Sequence, residues 1–211
     1  MKVLIFGATG GIGKWAVKHA LEKGHEVTAF VRNPQKINIQ NPCLYVVQGN
    51  ISNYDDVLSA VTGQDAVIWC VGIPMNRKYN KMESLEGHQV LLKAMNTAGV
   101  KRIIDWATPS VSFKKDKNSI STVIPKILAG IAFPMAKAEI IAVGNLIQTS
   151  DLDWTIVRFL APKDTPYTGN IKAGFGDVKM SFNISREDIA VFMVNQLENT
   201  NYSHSMPIIG S

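Results

Sequence analysis

The feature that most constrains this chain is a glycine-rich turn near its N-terminus, GATGGIG at residues 7–13. The apolar segment KVLIF at 2–6 comes immediately before the turn, and apolar residues at helical spacing follow it over 12–21. A strand, a glycine turn and a helix in this order form the start of a βαβ unit. The turn therefore predicts a parallel α/β fold in which the N-terminus of the first helix faces a bound phosphate.

Each glycine at the three-residue spacing has its own physical reason. Gly7 permits the tight turn, Gly10 lets the backbone approach a pyrophosphate, and Gly13 lets helix and strand pack closely. We assign six residues of the turn to a dinucleotide: Gly7, Thr9, Gly10, Gly11, Ile12 and Gly13. The alternative is a tight turn between strand and helix that binds nothing.

Segments typical of strands and helices alternate along the rest of the chain. Further strands are predicted at 26–31, 43–48, 65–71, 101–107, 153–159 and 206–210, and further helices near 53 and at 83–98, 134–149 and 186–198. Strand, helix and strand in repetition indicate parallel strands joined by right-handed crossovers. We predict one domain over residues 1–211, with a doubly wound parallel sheet between two layers of helices.

Composition excludes several other classes of protein. The chain is 46% hydrophobic and 18% charged, which excludes disordered and coiled-coil chains. Its net charge of +5 favours anionic small molecules, but there is no run of basic residues with interleaved aromatics of the kind that binds nucleic acid. Cys43 and Cys70 have no metal-type spacing, so no metal site is predicted. The four histidines are scattered, and we expect His19 and His25, near the end of the first helix, at the surface.

The N-terminus has no signal-peptide pattern, and the longest membrane-like stretch, residues 127–136, is about half the length that spans a bilayer. We therefore expect a cytoplasmic protein with neither a membrane nor a nucleic-acid partner. Nothing in the sequence indicates its oligomeric state.

The end of the second predicted strand indicates which dinucleotide is bound. A domain that selects NAD places a carboxylate there for the ribose 2′-hydroxyl. Here the segment FVRNP at 30–34 has no acid. The guanidinium of Arg32 can pair with a 2′-phosphate through two hydrogen bonds and stack on adenine, and Lys36 can assist. We therefore predict NADP(H) as the cofactor; the alternative is that Arg32 is a solvated surface charge.

Three loops follow predicted strands, at 73–81, 109–124 and 161–184. Long loops in compact domains are usually functional or disordered. Open α/β sheets bind ligands at the carboxyl ends of their strands, so we expect these loops on the side of the sheet where a substrate binds.

The sequence resembles the atypical short-chain dehydrogenases/reductases. The similar segments are GATGGIG at 7–13, VRNP at 31–34, QGN at 48–50, VKRIIDWAT at 100–108 and DLDWTIVRF at 151–159. The resemblance covers nearly the whole chain and is greatest to the NmrA-like and flavin-reductase (biliverdin-reductase-B-like) branch. It implies a Rossmann fold and a nicotinamide cofactor, and its motifs fix no substrate.

The resemblance also implies roles for single residues. Asn50 stands where such proteins usually carry an Asp that faces the adenine amino group, and an amide oxygen can still accept from that group. The other implied cofactor contacts are Ile51 at the adenine, Val71 and Gly72 under the nicotinamide ribose, Ala107 and Thr108 near the reacting centre, and Phe159 and Leu160 near the nicotinamide.

One departure from the family pattern affects catalysis. Typical members carry Tyr-x-x-x-Lys, in which the Tyr gives a proton to a carbonyl and the Lys lowers its pKa and holds the ribose hydroxyls. Alignment on Lys137 places Phe133 at the Tyr position. A phenyl ring has no proton to give, so ordinary ketone reduction loses its general acid. Lys137 and Thr108 remain the candidate catalytic residues.

Three functions stay open at this point. A flavin, quinone or similar conjugated small molecule can take its proton from solvent, so an NADPH-dependent reductase of such an acceptor fits the missing Tyr. A non-catalytic, NmrA-like redox sensor that holds NADP(H) fits it equally well. A third possibility is a sugar or isoprenoid reductase with Tyr79 or Tyr167 as its acid. The basic residues Arg77, Lys78 and Lys81 are candidates to attract an anionic acceptor.

Overall fold

Among the described residues up to 158, strands and helices follow one another in the order that the sequence predicts. The computed structural model describes residues 1–76, 78–117 and 132–211. Its strands are β1 (Lys2–Phe6), β2 (Glu26–Val31), β3 (Leu44–Gln48), β4 (Ala66–Trp69), β5 (Arg102–Ala107), β6 (Asp153–Arg158), β7 (Pro162–Lys163), β8 (Lys172–Gly174), β9 (Ile184–Ser185) and β10 (Ile208–Gly210). Its helices are α1 (Gly13–Glu22), α2 (Tyr54–Val61), α3 (Glu83–Ala98), α4 (Pro134–Gln148) and α5 (Arg186–Asn195).

The helix ends lie where local chemistry places them. The Asn53 side chain accepts hydrogen bonds from the first backbone N–H groups of α2, and the Ser185 side chain accepts one from the N–H of Asp188 in α5. Gly99 ends α3 in the left-handed conformation, with φ of 73°. These three positions confirm the predicted starts of α2 and α5 and the predicted end of α3.

The main sheet has the order β3-β2-β1-β4-β5-β6-β10-β8. The chain winds outward from β1 through β2 to β3, then returns to the other side of β1 and continues from β4 to β6. The point where the order reverses therefore lies between β1 and β4, directly beyond the glycine turn. This arrangement confirms the predicted doubly wound sheet.

One edge of the sheet differs from the prediction of purely parallel strands. The strand β8 pairs antiparallel to β10, and β10 itself joins β6 in parallel at Ile208 and Arg158. The two short strands β7 and β9 form a separate parallel pair. All three short strands β7, β8 and β9 lie within or next to the 161–184 segment, whose prolines and glycines hide any strand pattern in the sequence.

Each face of the sheet has its own apolar core. Alternate residues of β1 point to opposite faces, so that Leu4 packs with α2, α3 and α4, whereas Ile5 packs with α1 and α5. Both side chains are fully buried. The three-layer architecture is therefore confirmed.

The segment that follows β5 is bound to the last residue of β6. The buried guanidinium of Arg158 donates hydrogen bonds to the Val111 carbonyl at 2.9 Å and to the Asp116 carboxylate at 2.8 Å. The Phe113 ring then packs edge-on against Trp154, near the amino end of β6, with ring centroids 6.4 Å apart. Residues 111–116 of the 109–124 loop thus pack against β6 through contacts with Arg158 and Trp154. Residues 118–124 lie outside the described ranges.

The described residues contain neither a candidate membrane-spanning helix nor a candidate metal-binding cluster. Within the described ranges, none of the helices combines the length and the apolar character needed to cross a membrane. Among those same residues, no three His, Cys, Asp or Glu side chains are grouped so that they could hold a metal ion.

Candidate active site

The glycines of the turn differ in how closely the rest of the protein approaches them. Gly7 has φ of 73°, and a Cβ there would lie 2.6 Å from the carbonyl carbon of Cys70. A Cβ on Gly13 would lie 2.1 Å from the Gly7 oxygen, so the close packing of strand and helix requires both glycines. A Cβ on Gly10 would meet the Gly7 oxygen at 3.1 Å and otherwise has open surroundings. Glycine at this position keeps room for a group outside the chain.

A first cavity of about 530 Å³ extends from this turn across the ends of β1, β2 and β3. Arg32 and Lys36 line one part of it, and Asn50 and Ile51 line another. Arg32 is exposed, and the Gln48 side chain donates a hydrogen bond to its backbone oxygen at 3.2 Å. The cavity therefore brings together the glycine turn, three cationic side chains including Lys81, and an apolar surface, and these features fit a phosphorylated nucleoside.

Asn50 already makes two hydrogen bonds within the protein. Its side-chain oxygen accepts a hydrogen bond from the N–H of Ser52 at 3.0 Å. Its backbone N–H donates to the Asp56 carboxylate at 2.9 Å. The loop after β3 is thus held in place by Asp56, at the start of α2, and Asn50 keeps capacity for a further partner because an amide oxygen has two lone pairs.

A second cavity of about 620 Å³ adjoins the first and shares Gly10, Cys70 and Gly72 with it. Three aromatic side chains line it: Trp106, Phe133 and Phe159. Its polar side chains are Thr108, Ser110, Lys137 and Arg186. A cavity with this lining suits a planar apolar molecule.

Loops on two sides complete the second cavity. Ile73 and Met75 come from the 73–81 loop, and Ala161 and Pro162 begin the 161–184 loop. Ala161 has φ of 45°, a conformation that residues other than glycine rarely adopt. Such strain tends to occur at functional sites.

Trp106 shapes the floor of the second cavity. Its indole N–H donates to the Val71 carbonyl at 3.0 Å, which joins the ends of β4 and β5. Its ring stacks on Phe159, with centroids 5.7 Å apart and planes 26° apart. From the sequence, Trp106 is most simply explained as a core residue, because it lies in a predicted strand.

The residues of the altered catalytic motif meet in the second cavity. Phe133 precedes the first residue of α4, and the backbone N–H of Lys137 donates to the Phe133 carbonyl at 3.0 Å. Both side chains face the cavity that Thr108 also lines. The structure therefore brings together the three residues that the sequence proposed for this centre.

Burial keeps one further group of the site uncharged. Cys70 lines both cavities and is only 9% exposed. Desolvation by burial, and then the nearby charge of Asp105, raises the pKa of its thiol. The thiol is therefore protonated at neutral pH and is a poor nucleophile.

Most of the predicted cofactor residues line one of the two cavities. The exceptions among the described residues are Gly13, which packs against the turn, and Ala107, whose carbonyl accepts from the N–H of Phe159 at 3.1 Å. Gly13 and Ala107 therefore contact residues that line the cavities, but do not line a cavity themselves.

The basic residues of the 73–81 loop do not gather at the second cavity. Lys81 lines the first cavity and pairs with Glu86 at 2.7 Å, Lys78 lines neither cavity, and Arg77 lies outside the described residues.

Among the described residues, neither candidate tyrosine lines the first or the second cavity. The Tyr79 hydroxyl donates to Glu139 at 2.6 Å, and burial together with this bond raises the pKa of Tyr79. Tyr167 is an exposed residue beside His19. The geometry thus gives no support to a tyrosine acid.

Most of the chain matches the sequence model of a known protein family. The sequence model of a family described as NAD(P)H-binding matches residues 7–200. Over 120 residues the chain is 33% identical to a 3-beta-hydroxysteroid dehydrogenase of Mycolicibacterium neoaurum, a match that covers 52% of this chain and 32% of that protein. The chain thus spans about a third of the length of that relative.

Solved structures share the whole fold. The chain is similar to ChuY of Escherichia coli O157:H7, which is described as an anaerobillin reductase, with a TM-score of 0.79, 20% identity and coverage of 100% of this chain and 97% of that one. It is also similar to a short-chain dehydrogenase/reductase of Veillonella parvula in complex with NADP, with a TM-score of 0.77, 18% identity and coverage of 100% and 94%. At these identities the similarity establishes the Rossmann fold.

Proposed function

Because the chain belongs to the NAD(P)H-binding family, we propose that it is an NADPH-dependent reductase of a flavin, quinone or similar conjugated small molecule. The predicted nicotinamide dinucleotide is confirmed at the level of the family. The observation that carries the finer proposal is the second cavity, where aromatic walls adjoin the glycine turn and Phe133 stands beside Lys137.

The first cavity supports NADPH rather than NADH. Its volume and its position on the glycine turn suit the adenosine half of the cofactor. Arg32 and Lys36 supply positive charge where the 2′-phosphate would lie, and the end of β2 carries no carboxylate to hold a free 2′-hydroxyl.

The second cavity suits the nicotinamide half and the acceptor together. The nicotinamide supplies the hydride when it is bound. The protein's own contribution would be to orient the rings between Trp106, Phe133 and Phe159, to hold the ribose hydroxyls through Lys137, and to exclude water with the 73–81 and 161–184 loops. These proposed roles are consistent with the predicted single domain.

The protonation chemistry of the cavity favours a conjugated acceptor. Phe133 has no proton to give, and the Thr108 hydroxyl is a poor acid. An acceptor whose reduced form is a delocalised anion takes its proton from water and so needs neither group. The description of ChuY as an anaerobillin reductase supports a reductase function for a chain of this fold, without indicating the acceptor.

The same missing acid also favours a second function. A chain that binds NADP(H) and reports its redox state to a partner needs the first cavity and the glycine turn, but no proton donor. In that case the aromatic cavity would hold only the nicotinamide.

Turnover separates the two functions. The purified protein is mixed with NADPH and a panel of flavins and quinones, and oxidation is followed at the nicotinamide absorbance. Turnover above the rate without protein supports the reductase. Saturable NADPH binding without turnover of any acceptor supports the sensor, and no binding of NADPH or NADH would overturn both.

A further inference from the structure

Arg186, the first residue of α5, lies across the glycine turn. A Cβ built on Gly11 would come within 2.7 Å of its Cδ atom and 2.8 Å of its Nε atom. The side chain therefore runs directly over the Cα of Gly11. This contact explains a glycine that the three-residue spacing of Gly7, Gly10 and Gly13 does not require.

An exposed carboxylate pairs with Arg186. Its Nη1 atom lies 2.6 Å from the Asp164 carboxylate, whose side chain is 79% exposed. So exposed a pair contributes little to the stability of a fold. Arg186 itself lines the second cavity and is 28% exposed, so its guanidinium is accessible from the site.

The turn beneath Arg186 is prepared for an anion. In the described part of the chain, no side chain caps the N-terminus of α1, and its first turn contains no acidic residue. Among the described residues, no side chain therefore neutralises the positive end of the α1 dipole. The Arg186 guanidinium adds a positive charge at the same place, and guanidinium groups bind phosphates through two hydrogen bonds.

We propose that Arg186 contacts the diphosphate of the bound dinucleotide, and that Asp164 holds the side chain over the turn when the diphosphate is absent. This inference rests on the cofactor binding proposed above. It gives the two arginines of the site separate tasks: Arg32 recognises the 2′-phosphate, whereas Arg186 recognises a group that NADPH and NADH share.

Binding constants for four ligands test this division of tasks. The ligands are NADPH, NADH, ADP-ribose and adenosine 2′-monophosphate, which lacks the diphosphate, and binding is measured by calorimetry without any acceptor. Arg186→Met keeps the packing over Gly11 but removes the charge. We expect it to weaken NADPH, NADH and ADP-ribose by about tenfold or more and to leave adenosine 2′-monophosphate unchanged. Arg186→Lys should recover part of the loss.

The Arg32→Ala variant is the matched comparison. It should weaken NADPH and adenosine 2′-monophosphate and spare NADH and ADP-ribose. If Arg186→Met binds all four ligands as the parent protein does, the inference is wrong, although the proposed cofactor stands. If the parent protein itself binds no dinucleotide, it is the proposed function that fails.

Asp164→Asn distinguishes a contact of Arg186 with the cofactor from a role of the Arg186–Asp164 pair in anchoring the 161–184 loop. Removal of the carboxylate frees the guanidinium from a competing anion, so the three diphosphate ligands should bind at least as tightly as before. An equal weakening by Asp164→Asn and Arg186→Met would show that the pair only anchors the 161–184 loop and would overturn the inference.

Discussion

The carboxylate of Glu139 on α4 accepts a hydrogen bond from the backbone N–H of Ser84 at 2.8 Å, so one helix caps the start of another. The same carboxylate also accepts from the N–H of Leu85 and from the hydroxyl of Tyr79, and it is fully buried. Met82 provides no side-chain cap for α3. Since Ser84 lines the first cavity, this contact between helices also fixes part of the candidate site.

Removal of this carboxylate should destabilise the protein. Glu139→Ala leaves two backbone N–H groups and one hydroxyl without a partner, and we expect a loss of about 2–4 kcal/mol in the free energy of unfolding, measured by urea denaturation. Glu139→Gln keeps an oxygen for the N–H groups and should lose clearly less. Similar losses in the two variants would contradict the capping role.

The glycines of the turn should respond differently to a methyl group. Gly13→Ala places a Cβ 2.1 Å from a backbone oxygen, so the free energy of unfolding should fall by about 3 kcal/mol or more. Gly10→Ala meets its nearest neighbour at 3.1 Å and should cost at most about 1 kcal/mol, yet it should weaken NADPH binding. Thermal unfolding and NADPH titration of both variants measure the difference. Equal unfolding losses would show that Gly10 is also needed for the fold.

Arg32 should decide between the two dinucleotides. Arg32→Ala removes a charge-assisted contact to the 2′-phosphate, so NADPH binding should weaken by about 1.5–3 kcal/mol while NADH binding changes little. Fluorescence titration with each cofactor gives both values, and Lys36→Ala should show the same preference with a smaller loss. An equal loss of affinity for NADPH and NADH would reject Arg32 as the selecting residue.

His25 should make stability depend on pH. Neither ring nitrogen has a hydrogen-bond partner among the described residues, and the nearby Glu198 oxygen lies 3.9 Å away, too far for such a bond. Burial, followed by the charge of the N-terminal amino group, lowers the pKa of His25 from its ordinary value of 6.5. The unfolded chain therefore takes up a proton that the folded chain resists.

The sign of the effect follows from that difference. Above pH 6.5 the His25 ring is neutral in both the folded and the unfolded chain, so it does not reduce stability. As the pH falls below 6.5, the free energy of unfolding decreases by at most about 1.4 kcal/mol per pH unit. His25→Leu should flatten this part of the profile, which urea denaturation between pH 7.5 and about 5 can measure. Parallel profiles for the parent protein and the variant would show that His25 does not cause the decline.

The sequence predicts those parts of the structure that are set by neighbouring residues. The path from β1 through the turn into α1 depends on residues 2–22, so its pattern is readable without the rest of the chain. The caps at Asn53 and Ser185 are equally local, since each side chain bonds to an N–H two or three positions ahead.

Contacts between distant segments could not be predicted in this way. Nothing in the sequence pairs Arg186 with Gly11, or Glu139 with the start of α3. The expected surface position of His25 was wrong for a related reason, since the residue is only 1% exposed. His25 follows the turn at Gly24, at the end of the helical pattern, where a surface position is expected. It directly precedes β2, however, and the chain turns inward at this point. His19 was also expected at the surface. Its side chain is only 18% exposed, because its ring lies between Glu22 and Glu187.

The placement of β10 between β6 and β8 has a consequence during synthesis on the ribosome. β6 and β10 are separated by about fifty residues, yet they are direct neighbours in the sheet. Until the later strand emerges, β6 has one bare edge whose backbone groups are available to any other extended polypeptide. A nascent chain arrested in this interval would be especially prone to aggregate and to need a chaperone.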